Sequence, residues 1–277
     1  MPQTINTNLA SLNAQRNLST SQGSLAVAMQ RLSSGLRVNS AKDDAAGLAI
    51  AERMNSQVRG MNVAARNAND GISLSQTAEG ALGKIGDALQ RMRELAVQSA
   101  NGTNNTNDRD NLQAEFSQLT EEVTRIVTGT KFNGTGLFDG TAAPFTFQVG
   151  AGTDATDTIT MSSVDLTAMV AAVQTQLISG TDNVLPLAAI TELDNSIMSV
   201  TTARAGFGAA QNRFDSVIGS LQVFAENLSA ARGRIMDADF AAETAALSRA
   251  QILQQAGNAM VAQANQLPQQ VLALLQR

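Results

Sequence analysis

Carboxylates are the only abundant side chains in this 277-residue sequence that could carry acid–base or metal chemistry: there are 24 Asp and Glu but no His, Cys, Tyr or Trp. Without His or Cys there is no Ser-His-Asp or Cys-His nucleophile and no zinc site of the usual ligand types. What remains open is an all-carboxylate metal site or an Asp/Glu acid–base pair. The pair that invites the question is Asp43-Asp44, in LSSGLRVNSAKDDAAGLAIAERM (residues 32–54), because no acid precedes it. Ser40-Ala41-Lys42-Asp43 fits a Ser-x-x-acid capping pattern ahead of an Ala-rich run, where the helix dipole favours negative charge. Capping therefore accounts for these acids better than catalysis does, and neither an enzyme nor a cofactor or metal is expected. Asn101-Gly102-Thr103, Asn104-Asn105-Thr106 and Asn133-Gly134-Thr135 fit the N-glycosylation pattern but read as turn chemistry, and no site for O-linked sugar stands out.

The elements around those acids are long helices. Only Pro2, Pro144, Pro186 and Pro268 interrupt the chain, leaving extended tracts free of proline. Alternating 3–4 apolar spacing is clearest from 193 to 228, where Leu193, Ile197, Phe207, Phe214, Ile218, Leu221 and Leu228 mark a coiled-coil-like seam. A shorter seam runs from Leu112 to Ile126. Two overlapping stripes between 48 and 99 predict one long helix, which NGTNNTND (101–108) ends. FTFQV (145–149) and TITM (158–161) alternate like strands, so a β-hairpin is expected with a loop or short strand beside it. Aromatics make up only 3% of the chain, which also favours helices meeting along Leu, Ile and Ala seams. The fold class is mainly α: long antiparallel helices in a coiled-coil-like bundle, a small β-hairpin region, and terminal helices forming a separate two-helix coiled coil. The expected domains are a terminal assembly domain (1–43 and 235–277), an inner helical domain with the hairpin (44–165 and 186–234), and a short linker (166–185).

The charges separate the ends from the middle. All 24 acids lie between Asp43 and Glu243. The polar faces of the ends are Gln, Asn and Ser, as in Gln251, Gln255 and Asn258, beside Leu18, Leu25, Leu32, Leu253, Met260, Leu267, Val271 and Leu274 as the terminal seams, with Ala246, Ala250, Gly257 and Ala264 in the same C-terminal stripe. Pro268 falls inside the last run and is expected to kink it or loosen a turn. Two such helices bury little alone against about 1–2 kcal/mol of backbone entropy per residue. The termini are therefore expected to be mobile in a lone chain and to fold on copies of themselves. A repeated self-contact that does not close gives a helical polymer, and amide faces stack without repulsion. The alternative is an ordinary two-helix end docked on its own domain. A net charge of −5 leaves no footprint for nucleic acid, and no run is long and apolar enough to span a membrane. The first residues show no cleavable export signal, which by itself points to the cytosol.

The 32–54 stretch, QRMRELAVQSAN (90–101), and the run from NLSAARGRIMDADF through SRAQILQQAGNAMVAQANQ (227–266) closely resemble bacterial flagellin. The likeness covers about 1–140 and 186–277, and only some 20 residues stand where larger flagellins insert outer domains. It implies a minimal subunit of the flagellar filament, exported unfolded by the flagellar type III system, extracellular at the end, and serving swimming motility. The implied partners are other copies of the chain, an export chaperone, the filament cap and hook-junction proteins, and the animal Toll-like receptor for flagellin. Arg91, Leu95 and Glu115 match the positions that the family offers to that receptor and buries between protofilaments. Leu272, Leu274 and Leu275 resemble the leucines read by an intracellular sensor, although Gln276 adds a residue before the final Arg. The resemblance leaves the hook–filament junction protein as the alternative. A metallopeptidase flagellin with HExxH is excluded by the absence of His.

Overall fold

A computed structural model describes residues 7–141 and 143–275, with 267–275 described by backbone alone. The described elements are α1 (Leu9–Ser34), α2 (Ala45–Ser99), α3 (Thr106–Gly129), β1 (Lys131–Phe132), β2 (Thr135–Gly136), β3 (Phe145–Gln148), β4 (Thr158–Met161), α4 (Thr167–Gln174), α5 (Val184–Met236) and α6 (Phe240–Leu275). The chain is mainly α with a small antiparallel β region, as the periodicity predicts. It divides into two compact units, one of residues 1–56 with 227–277 and the other of residues 57–226.

In the 57–226 unit, α2 and α5 run antiparallel. Arg93 pairs with Asp194 at 2.6 Å, Glu79 with Arg204 at 3.7 Å and Gln211 at 3.1 Å, and Gly71 lies under Phe214. Leu74, Ala78, Leu82, Ile85, Leu89, Met92 and Leu95 of α2 are all buried; the expected stripe of Leu74, Ala78, Ala81, Ile85, Ala88, Met92 and Leu95 is widened by Leu82 and Leu89, with Ala81 and Ala88 packed against it. Leu193, Phe207, Phe214 and Leu221 of α5 are buried as the seam predicts, with Ile197 and Ile218 packed on their edges. Leu228, half-buried, belongs to the other unit.

β3 and β4 form the predicted hairpin, with Phe145 opposite Met161 and Gln148 opposite Thr158. Phe147 meets Phe214 edge to face, with ring centroids 5.3 Å apart at 84°. β1 and β2 form a second, smaller hairpin whose turn has Asn133 at φ 48° and Gly134 at φ 83°, the left-handed pair that a two-residue turn needs. α3 opens on a capping box in which the Asn105 side chain accepts from Asp108 N–H and the Asp108 carboxylate accepts from Asn105 N–H.

The stretch read as a linker, 166–185, contains α4, whose Val170 and Val173 enter the core. The turn after α4 is held by side chains. Gln113 accepts from Ile178 N–H at 2.6 Å, the Ser99 hydroxyl donates to the Ile178 carbonyl, and buried Arg109 donates to the Gly180 and Asp182 carbonyls.

In the terminal unit, α1 and α6 pack antiparallel along much of their length. Arg31 near the end of α1 meets Glu243 near the start of α6 at 2.9 Å, while Asn8 and Ser11 at its start meet Ala264 and Asn265. Both helix-dipole ends gain from the Arg31–Glu243 pair. α6 is helical through Pro268 to Leu275.

Candidate assembly interface

The acids of the opening motif build a joint. α1 ends on Gly35 at φ 71°, whose N–H bonds the Arg31 carbonyl. The next residues lie along the end of α5: Leu36 bridges Asp237, Arg37 N–H donates to the Met236 carbonyl at 2.6 Å, and the Arg37 guanidinium donates to the Ile235 carbonyl at 2.7 Å. The last carbonyls of α5 are thus capped by a neighbouring strand-like segment. Val38, Ala51 and Met236 form a small core under the joint.

The capping expectation needs one correction. Ser40 does not cap α2. Asp43 accepts from Asn39 N–H, Ser40 N–H and the Ser40 hydroxyl, and so closes a turn. Those donors, the Ser40 N–H foremost, hold the Asp43 carboxyl below its ordinary range. Asp44 is the residue before the helix, and its side chain accepts from Gly47 N–H at 2.8 Å. Asp239 does the same for α6 through Ala241 and Ala242.

Leu18, Leu25 and Leu32 are half-buried on α1, and Ser11, Ala14, Ser21 and Ala28 between them complete a 3–4 seam. On α6 the inward set is Leu247, Ala250, Gln254, Gly257, Val261 and Ala264. It shares Ala250, Gly257 and Ala264 with the predicted stripe, but takes the residue after Leu253 and Met260 rather than those two. The reason is steric. Small side chains let the helices approach closely, so that a Cβ built on Gly257 would lie 3.1 Å from Leu18 Cδ1. Leu253 and Met260 are therefore turned outward, 50% and 57% exposed, with Ile252 at 65%; Leu9 and Leu12 on α1 are 70% and 51% exposed. Leu267, Val271, Leu272, Leu274 and Leu275 have side chains outside the described residues. The sequence reading missed Asn8, Ser11, Arg31 and Glu243 as contacts; only the Asn8 capping type just before Leu9 gave a local signal.

On the 57–226 unit, Arg91 Nε donates to Glu115 at 2.9 Å and its Nη1 to Glu94 at 2.9 Å, and these carboxylates, Glu94 foremost, hold the guanidinium more firmly protonated. Arg91 and Glu115 are exposed together. Leu95 is not with them: it is 1% exposed and packs in the core, so within one chain it is closed to any partner. Its place in the α2 stripe, three residues after Met92, is the cause.

Among the described residues no three carboxylates gather as a metal site would require, and no helix is long and apolar enough to cross a membrane.

Comparison with known proteins places these features. Residues 5–143 match the bacterial flagellin N-terminal helical region and residues 190–275 the bacterial flagellin C-terminal helical region, with only 144–189 between them. A flagellin of Halalkalibacterium halodurans is 48% identical over 271 residues, covering 98% of this chain and 99% of its own. The flagellar filament 33 kDa core protein of Treponema phagedenis is 42% identical over 283 residues, covering 98% of this chain and 99% of its own. Among solved structures, a putative flagellar hook-associated protein from Vibrio parahaemolyticus matches at TM-score 0.59 over 70% of this chain and 100% of that one; at 16% identity this is a likeness of fold.

Proposed function

Because the chain belongs to the bacterial flagellin family, whose proteins are structural subunits of the flagellar filament, and lacks that family's variable outer domain, we propose that it polymerises through α1 and α6 into the smooth core of a swimming filament. The observation that carries this reading is the mismatch on the terminal pair. The α1–α6 seam is closed by Ala250, Gly257 and Ala264, while Leu9, Leu12, Ile252, Leu253 and Met260 stand exposed with no acid near them in sequence. Exposed apolar surface of this kind marks a contact with another molecule, and identical copies supply it.

The same premise supports export of the unfolded chain through the flagellar type III channel, an extracellular final location, and transient partners in an export chaperone, the filament cap and the hook-junction proteins. The exposed Arg91–Glu115 pair is offered as a protofilament contact and as part of the surface met by the host Toll-like receptor for flagellin. The leucines Leu272, Leu274 and Leu275 are proposed for the intracellular sensor.

The test is complementation of a bacterium whose own flagellin is deleted. The full chain should give long filaments and swimming. Leu253→Lys with Met260→Lys should give soluble subunit in the medium and no filaments, which separates export from assembly. Filaments of ordinary length from the double variant would refute assembly through this face, and short stubs from the parent chain would favour a junction protein.

A further inference from the structure

We infer that Asn8 holds the axial register of α1 on α6 at the end far from the joint, by donating to a carbonyl that Pro268 leaves without a donor in its own helix. In an α-helix the N–H of residue i serves the carbonyl of residue i−4. Proline has no N–H. α6 is helical through Pro268, so the Ala264 carbonyl lacks its ordinary partner. Asn8 Nδ2 lies 2.7 Å from that oxygen.

The same side chain caps α1, its Oδ1 accepting from Ser11 N–H at 3.1 Å. Only an oxygen can accept there, so the amide is oriented with its nitrogen toward Ala264. Next to it the buried Ser11 hydroxyl donates to Asn265 Oδ1 at 2.7 Å. One asparagine therefore answers an unpaired donor of α1 and an unpaired acceptor of α6 together.

The apolar seam cannot make this choice. Leu18, Leu25 and Leu32 repeat every seven residues, as do Ala250, Gly257 and Ala264, so a slip of one heptad restores the same pattern. Polar contacts at particular points along the pair break such degeneracy: Arg31–Glu243 does so beside the joint, and Asn8 with Ser11 at the opposite end. Other carbonyls of α6 before its last turn already face a helical N–H, so the one opposite Pro268 gains most from the Asn8 donor. A heptad slip would move Leu9 and Leu12 by about 10 Å along α6, and so change the apolar surface offered to a neighbour. The inference concerns contacts inside one chain and does not depend on the filament reading.

The chain has no cysteine, which permits a clean cross-link. A Cβ built on Gly257 lies 3.6 Å from Leu18 Cβ, inside the span of a disulfide. Leu18→Cys with Gly257→Cys would be equilibrated with glutathione, free and polymerised, and the intramolecular band quantified. Asn8→Asp keeps the cap acceptor and suits a helix N-terminus, but cannot donate to Ala264. Pro268→Ala returns an N–H to that carbonyl. Asn8→Asp should lower the effective concentration of the thiols roughly three- to tenfold when Pro268 is present. With Pro268→Ala it should lower it by less than about twofold. An equal drop in both backgrounds, or none in either, would overturn the inference. So would a parent pair that never cross-links, because α1 and α6 would then not be seated in this register.

Discussion

Replacing Gly71 with alanine sets two opposed effects against each other in the 57–226 unit. A Cβ at Gly71 would fall 2.6 Å from Phe214 Cζ and 2.8 and 2.9 Å from its two Cε atoms. All three are ring atoms, so the whole ring must retreat by most of an ångström. Phe214 is fully buried and held edge to face by Phe147 at 5.3 Å, so the displacement is passed to the β3–β4 hairpin. Overpacking of this kind costs about 1–3 kcal/mol. Alanine for glycine inside a helix returns about 1 kcal/mol. The net effect is a loss of about 0–2 kcal/mol. Gly80, on the same helix, has nothing within 4 Å of an added Cβ, so Gly80→Ala keeps the gain without the clash. The difference between the two variants removes the propensity contribution and leaves about 1–3 kcal/mol, or roughly 2–4 °C of melting temperature for each kcal/mol. Thermal unfolding of the unpolymerised chain, followed by far-ultraviolet circular dichroism, measures it. Gly71→Ala matching or exceeding Gly80→Ala in stability would refute the packing of Phe214 on α2.

Three further outcomes follow from the terminal unit. The Asp43 carboxyl is held below its ordinary 3.8, so the folded joint takes up its proton less readily than the unfolded chain. Its contribution is complete above the ordinary value and is lost as pH falls through the depressed native one. Protection factors for hydrogen exchange at Asn39 and Ser40, taken against the intrinsic rate at each pH, should therefore fall in acid in the native chain, whereas in Asp43→Asn they should be low already and change little with pH. Glu243→Gln removes the ion pair to Arg31, whose side chains are 14% and 31% exposed, and should cost about 1 kcal/mol or less once solvent screening is allowed for, read as faster exchange in the last turn of α1 and diminishing with salt. Lysine at exposed amides of α6, such as Gln251, Gln255 and Asn258, should shorten filaments, because identical charges would then stack against one another in the proposed polymer where amides do not repel; electron micrographs give the lengths.

The fold was legible where periodicity was long. Leu193 to Leu221 predicted α5, and Phe145-Thr146-Phe147 with Thr158 to Met161 predicted the β3–β4 hairpin. The β1–β2 turn was signalled by Asn133-Gly134, but its strands are too short for alternation to show. α4 was hidden because it is only eight residues long and its outer side carries Ala168 and Ala171, too weakly polar to mark the face that Met169, Val170 and Val173 turn to the core. On α6 the two candidate stripes differ by one residue. Leu253 and Met260 are the more apolar choice, yet close packing against Leu18 selects the smaller set around Ala250 and Gly257. Leu95 was placed on a surface by likeness to the family, while its own heptad position puts it inside. The Asn8–Ala264 bond has no sequence signal of its own, since it links residues at opposite ends of the chain; the unpaired carbonyl created by Pro268 is visible only once the helix is known to continue through it.

The most direct measurement is negative-stain electron microscopy of the purified chain after salt-induced assembly, beside the same protein lacking residues 1–42 and 244–277. Long thin filaments from the full chain and none from the truncated one are expected, because the truncation leaves the 57–226 core intact and removes α1 and nearly all of α6. Filaments from both would show that the helical core polymerises unaided, and would contradict the assignment of assembly to the terminal pair.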